Sequence, residues 1–118
     1  MRTTVPDGPF FVASEAEWRD MGGGVRRQIL AVGPDLMLVR VDFIAGAVGA
    51  VHHHPHRQVT YVARGAFDVT VGDDRKRVVA GDSFAAEANV PHGVAAIEAG
   101  TLVDCFTPVR EDFLADRE

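Results

Sequence analysis

Hydrophobic and polar residues alternate with a period of two along most of this chain, the pattern of strands that lay one face on a core. The pattern is clearest over residues 36–44, LMLVRVDFI. There Met37, Val39, Val41 and Phe43 share one uniformly apolar face, which is expected to look inward, while Leu36, Leu38, Arg40 and Asp42 share the other. Residues 25–32, 58–64, 66–71, 77–80, 83–86, 93–97 and 101–107 read as further strands. Turn chemistry separates them: Gly33-Pro34-Asp35, Gly65, Gly72-Asp73-Asp74, Gly81-Asp82 and Glu98-Ala99-Gly100. Phe10-Phe11-Val12 reads as a short edge strand. Residues 14–21, SEAEWRDM, predict one or two helical turns, with Ser14 and Glu17 as a capping box and Trp18 packed inward. Gly22-Gly23-Gly24 ends that segment, Pro108 ends the last strand, and residues 110–118 read as a charged tail or helical turn. Many short strands at regular spacing predict an all-β fold, a small double-sheet jelly roll. The expected organisation is a single domain over residues 1–118, with an N-terminal arm at 1–24, a core over 25–109 and a C-terminal tail at 110–118.

Composition narrows the partners. A chain of 118 residues suits one core, and a formal net charge of −5 argues against nucleic acid or an anionic membrane surface. The single cysteine, Cys105, excludes an intrachain disulfide framework. With no membrane-length apolar run and no signal-peptide pattern, a cytoplasmic location is expected.

The chemistry is concentrated in VHHHPHRQVTYVARG, residues 51–65, which holds four of the chain's five histidines. His52 and His54 lie two apart, so an extended strand points both to one face, and Gln58 follows at an even offset. His92, after Pro91, is the fifth histidine. Three imidazoles and an amide oxygen form a ligand set for one divalent metal. His53 and His56 are expected on the rim or facing away, although a set with His56 in place of Gln58 stays open. All these ligands are neutral, so a bound dication keeps its full charge and favours an anionic, oxygen-rich substrate. Asp104 shares a strand face with Leu102 and Phe106. It reads either as a general base near the metal, with Phe106 shaping the pocket, or as a carboxylate on an exposed or backbone-satisfied position. Arg26 and Arg27 alternate, so one of them points inward, and Arg110 follows the last strand closely; each could hold a substrate carboxylate.

These residues also carry a resemblance. His52-x-His54 with Gln58 and then Gly65 resembles the first cupin motif, and Gly81-Asp82 followed by Asn89-Val90-Pro91-His92 resembles the second. The flanks are more specific. GVRRQIL at 24–30, HPHRQVTYV at 54–62 and DCFTPVREDFL at 104–114 are similar to the KdgF family of pectin-degradation cupins, over residues 10–114. The resemblance implies a cupin-type double-stranded β-helix that linearises 4,5-unsaturated uronate monosaccharides released by pectin or alginate lyases. It implies metal ligands at His52, His54, Gln58 and His92, and a catalytic site at Asp104 and Phe106, to which Arg110 and Arg26 are added as carboxylate-holding candidates. The cofactor is then one divalent transition metal (nickel, zinc, manganese or iron), and the partner is a small anionic sugar acid. A homodimer is expected from family habit and from the need to cover edge strands. The chain departs from the family at Arg57, where Glu is usual, and at Ala86-Glu87-Ala88, where a proline-rich segment is usual. Other readings of the same metal site are an oxygen-dependent dioxygenase, a polyketide cyclase or a non-catalytic small-molecule-binding cupin.

Overall fold

The computed structural model describes residues 5, 6 and 8–115; residues 1–4 and 7 of the expected arm and 116–118 of the expected tail lie outside the described residues. The strands are β1 (Arg19–Gly22), β2 (Val25–Val32), β3 (Met37–Phe43), β4 (Val48–His52), β5 (Arg57–Arg64), β6 (Ala66–Val71), β7 (Asp74–Val79), β8 (Ser83–Ala86), β9 (His92–Ala96) and β10 (Gly100–Thr107). A one-turn helix, α1 (Glu111–Leu114), follows them. The strands form two antiparallel sheets, in the orders β1-β2-β3-β10-β5-β8 and β4-β9-β6-β7. This is the expected all-β double-sheet jelly roll. No helix among the described residues is long and apolar enough to cross a membrane.

The period of two places the core as the sequence implied. Met37, Val39 and Phe43 are buried, as are Val62 on β5 and Leu102 and Phe106 on β10. Two apolar clusters result. One joins Phe43, Val62, Phe67, Val69, Val78 and Leu102 between the sheets, with the Phe43 and Phe67 rings edge-on at 5.2 Å. The other joins Met37, Val39, Phe106 and Leu114, so α1 plugs one end of the roll. Each large side chain removed from water in this way contributes roughly 1.5–3 kcal/mol before entropy is counted. Between the two clusters the inner surface turns polar, and the functional site lies there.

The N-terminal segment differs from its expected form. Residues 14–21 do not make a capped helix: a 3-10 turn spans Ala13–Glu15, its N-cap Val12 offers no side-chain bond, and Arg19–Gly22 is strand. The reason is the triple glycine. Gly22, Gly23 and Gly24 all take positive φ (81°, 62° and 86°), and this reversal lays Arg19 opposite Arg27 and Asp20 opposite Arg26. An edge strand waiting to be paired outweighs a helix of two turns, which is marginal by itself. Trp18 is not packed inward; it is 38% exposed and lies under the Arg26 guanidinium at 3.8 Å. Phe10, Phe11 and Val12 form no strand.

Candidate metal centre and cavity

Three elements bring the histidines together. β4 and β9 approach closely because Gly93 has no side chain: a Cβ there would sit 2.9 Å from the Val51 amide nitrogen and 3.0 Å from the Gly49 carbonyl oxygen. Their register sets His52 directly opposite His92. His54 arrives differently. The strand ends at His52, so His54 reaches the cluster from the loop before β5, not through the strand period. The ligand atoms of His52, His54 and His92 lie within 4.8 Å of one another. His54 and His92 are buried, whereas His52 is exposed. Gln58, on β5, is buried beside them, and its Oε1 lies 3.1 Å from both His54 Nε2 and His92 Nε2.

The hydrogen bonds behind these rings test whether a metal fits. Each imidazole Nδ1 faces a backbone carbonyl: Ala50 at 2.8 Å for His52, His56 at 2.9 Å for His54 and Val90 at 2.8 Å for His92. A carbonyl oxygen only accepts, so each Nδ1–H is the donor, and in the neutral ring the lone pair is on Nε2. Burial lowers His54 to about 4 and also lowers His92, in both cases helped by the charge of Arg110, so both rings are neutral near pH 7. Gln58 is oriented as well. Its Nε2 donates to Thr60 Oγ1 at 2.9 Å and to Asp104 Oδ1 at 3.3 Å, leaving its carbonyl oxygen toward the histidines. Two nitrogen lone pairs and an amide oxygen thus converge at 3.1 Å with no proton between them. A cation resolves that arrangement, so the donor set fits a metal. His53 is exposed, and His56 is outside the cluster; among the described residues its Nδ1 is a buried atom with no hydrogen-bond partner.

The cavity next to the histidines measures about 320 Å³, the size of a small-molecule site. His52, Gln58, His92, Asp104, Arg27 and Arg110 line its polar side, and Val25, Val41, Phe43, Leu102 and Phe106 its apolar side. Asp104 on β10 pairs across to Thr60 on β5, and Phe106 pairs to Gln58. Thr60, which has no exposed surface, donates its hydroxyl to Asp104 Oδ1 at 2.6 Å. Burial raises the Asp104 carboxyl to about 6, against the opposing effects of the Thr60 bond and the charge of Arg110. Phe106 is buried edge-on to His54 at 5.7 Å. Arg110 is 8% exposed, donates Nε and Nη2 to the Asp112 carboxylate at 3.0 and 2.8 Å, and lies over the rings of Phe113 and Phe106.

The structure does not bring Arg26 to this cavity. Arg26 is on the opposite face of β2, its side chain 54% exposed and paired with Asp42 at 3.2 Å. Arg27 is the inward member of the pair. The signal was present in the sequence, because Arg27 shares strand parity with the apolar Val25 and Ile29. Thr60 was legible in the same way, lying two residues from Gln58. Phe113 and the α1 turn carry no periodic signal, since they follow the sheet. Arg57 points outward and pairs with Glu87 at 3.0 Å, away from the ligands.

Residues 39–104 match the cupin domain family, and the chain belongs to that family. Strands β4 to β9 and the histidine-bearing loop fall within the matched region. Within the cupins, the chain is similar to the pectin degradation protein KdgF of Dickeya dadantii, with 40% identity over 107 residues, covering 89% of this chain and 97% of that protein. It is also similar to the solved structure of KdgF from Halomonas sp., with 42% identity, TM-score 0.86 and coverage of 90% and 100% of the two chains. An RmlC-like cupin structure from Shewanella frigidimarina superposes with TM-score 0.88 at 42% identity, over 92% of this chain and 97% of that one.

Proposed function

We propose that this cupin is a metal-dependent enzyme that opens the ring of 4,5-unsaturated uronate monosaccharides from pectin or alginate breakdown, giving the open-chain keto acid. The carrying observation is the linkage of the converging His54, His92 and Gln58 atoms, through Gln58 and Thr60, to the half-buried carboxyl of Asp104 on the wall of one cavity. The similarity to KdgF proteins supports the substrate class. His52, His54, Gln58 and His92 would hold the ion, and a divalent ion there supplies Lewis-acid polarisation of a substrate oxygen.

The chain's own residues do the rest. Asp104, raised to about 6, is placed to accept a proton near neutral pH. It takes the proton of the anomeric hydroxyl; C1 becomes an aldehyde as its bond to the ring oxygen breaks. The electron pair of that bond stays on the ring oxygen, leaving an enol(ate) at C5. Return of the proton to C4 completes the 5-keto acid, so substrate and product are isomers. Thr60 and Gln58 donate to Asp104 and hold it at one orientation. Phe106 closes the apolar side and excludes water. The assay is the loss of the unsaturated-uronate absorbance with purified, metal-loaded protein. A rate no greater than the spontaneous one rejects this function, and uptake of dioxygen during turnover would point to a dioxygenase.

A further inference from the structure

Two guanidinium groups reach the cavity from separate elements, and they are not equivalent. Arg110 is already engaged: two of its N–H groups are donated to Asp112, which orients it and offsets its charge. Arg27, on β2, also lines the cavity, but among the described residues no acceptor hydrogen-bonds to it. Its Cζ lies 3.7 Å from the Phe113 ring centroid, with Arg110 4.1 Å from the same ring. The aromatic ring therefore fixes where the Arg27 fork sits without satisfying its donors. Burial lowers Arg27 to about 10, and Arg19, opposite it on β1, adds to the effect. Asp112 acts on Arg27 electrostatically, but its carboxylate is bonded to Arg110 and not to Arg27. A partly desolvated cation with no acceptor bonded to it is costly, and the group that best relieves it is one that accepts two parallel N–H bonds in a plane.

We infer that Arg27 receives the substrate's carboxylate and so makes the cavity selective for sugar acids over neutral sugars. Resting on the proposed uronate chemistry, this assigns a specificity-determining role to the arginine next to Arg26. Carboxylate binding at Arg27 leaves Arg110, held by Asp112, to meet the sugar's hydroxyl oxygens. It also places the charged end of the substrate at the Phe113 end of the cavity, where Arg27 contacts Phe113, Phe113 contacts Phe106 and Phe106 contacts His54.

The test uses a saturated sugar acid that cannot undergo the reaction. Titration calorimetry of the full chain with D-galacturonate and with D-galactose should show the acid binding on the order of 10- to 100-fold tighter. The preference should persist after treatment with a chelator. Arg27→Met, which keeps an apolar stem against Phe113, should abolish the preference, and Arg27→Lys should keep only part of it because the fork is lost. Melting temperatures check that both variants fold; if Arg27→Met does not, the partial loss in Arg27→Lys carries the test. The inference is overturned if the wild type shows no preference for the acid, if folded Arg27→Met (or, failing that, Arg27→Lys) retains it in full, or if the preference disappears with the metal. Because this comparison needs no turnover, it stands apart from the ring-opening assay. An enzyme that opens unsaturated uronates yet passes its preference unchanged to Arg27→Met would refute Arg27 alone.

Discussion

Asp42 on β3 and Asp104 on β10 lie on adjacent strands of the same sheet, but on opposite faces. Asp42, on the outer face, accepts from Arg40 at 2.9 Å, from Arg26 at 3.2 Å and from Thr101 at 2.9 Å. Those bonds outweigh its partial burial and hold its carboxyl below the usual range. Asp104, on the inner face, has the Thr60 hydroxyl and the Gln58 amide as donors and no ion pair among the described residues, and burial carries it up to about 6. One sheet thus holds two carboxylates displaced in opposite directions. A carboxylate closed off by cations is a fastening, whereas one kept near neutrality between hydroxyl and amide donors can exchange a proton.

That contrast can be broken experimentally, and the largest effect should come from the inner face. Removing the metal with a chelator, or replacing His92 with Ala, should reduce ring opening on the order of 10³-fold or more. Steady-state rates before and after metal restoration check this; the chelated wild type should recover and His92→Ala should not. Next, Asp104→Asn should lower kcat by about 10²- to 10⁴-fold while leaving the melting temperature unchanged or higher, because a buried charge has been removed. A variant with full activity would move the proton transfer to another group.

The outer face should answer in stability. Asp42→Asn removes charge-assisted bonds and should cost about 1–3 kcal/mol in urea unfolding with kcat unchanged. The pH dependence then separates the two carboxylates by sign. Asp42, depressed in the fold, contributes stability that is present above the ordinary carboxylate range and is lost as pH falls through its folded value. Asp104, raised to about 6, does the opposite: its ionisation destabilises the fold progressively as pH rises from about 4 to about 6. In metal-free protein, Asp104→Asn should therefore gain on the wild type in melts near pH 7, with the gain vanishing near pH 3, while the deficit of Asp42→Asn shrinks over the same descent. Smallest of all should be Arg57→Ala. Its pair with Glu87 is exposed on both sides, so the change should be under about 1 kcal/mol with KM unaltered. A shifted KM would mean that Arg57 reaches the cavity despite its outward placement.

How far the sequence disclosed this arrangement follows from what strand parity can encode. Met37, Val39 and Phe43 turned inward because alternation dictates it, and the same rule put Asp104 beside Leu102 and Phe106. Parity is silent where the chain leaves the strand. His54 joins the cluster from a loop, and Phe113 arrives on a helical turn after Pro108, so neither position follows from a period of two. For Arg26 and Arg27 the rule was available through Val25 and Ile29, but adjacent arginines mask the alternation that hydrophobicity alone reports. The Ser14 to Glu17 spacing looked like a helix start, and the glycine hairpin converted the following residues to an edge strand, a tertiary pairing that local propensity does not carry.

His52 is the exposed corner of a cluster whose other members are buried, tethered through its Nδ1–H to the Ala50 carbonyl. That asymmetry implies an order of events in time. An arriving ion would meet His54, Gln58 and His92 already converged, and the His52 ring would close over it last. Departure would run in reverse, beginning with a rotation of one surface side chain while both sheets stay intact.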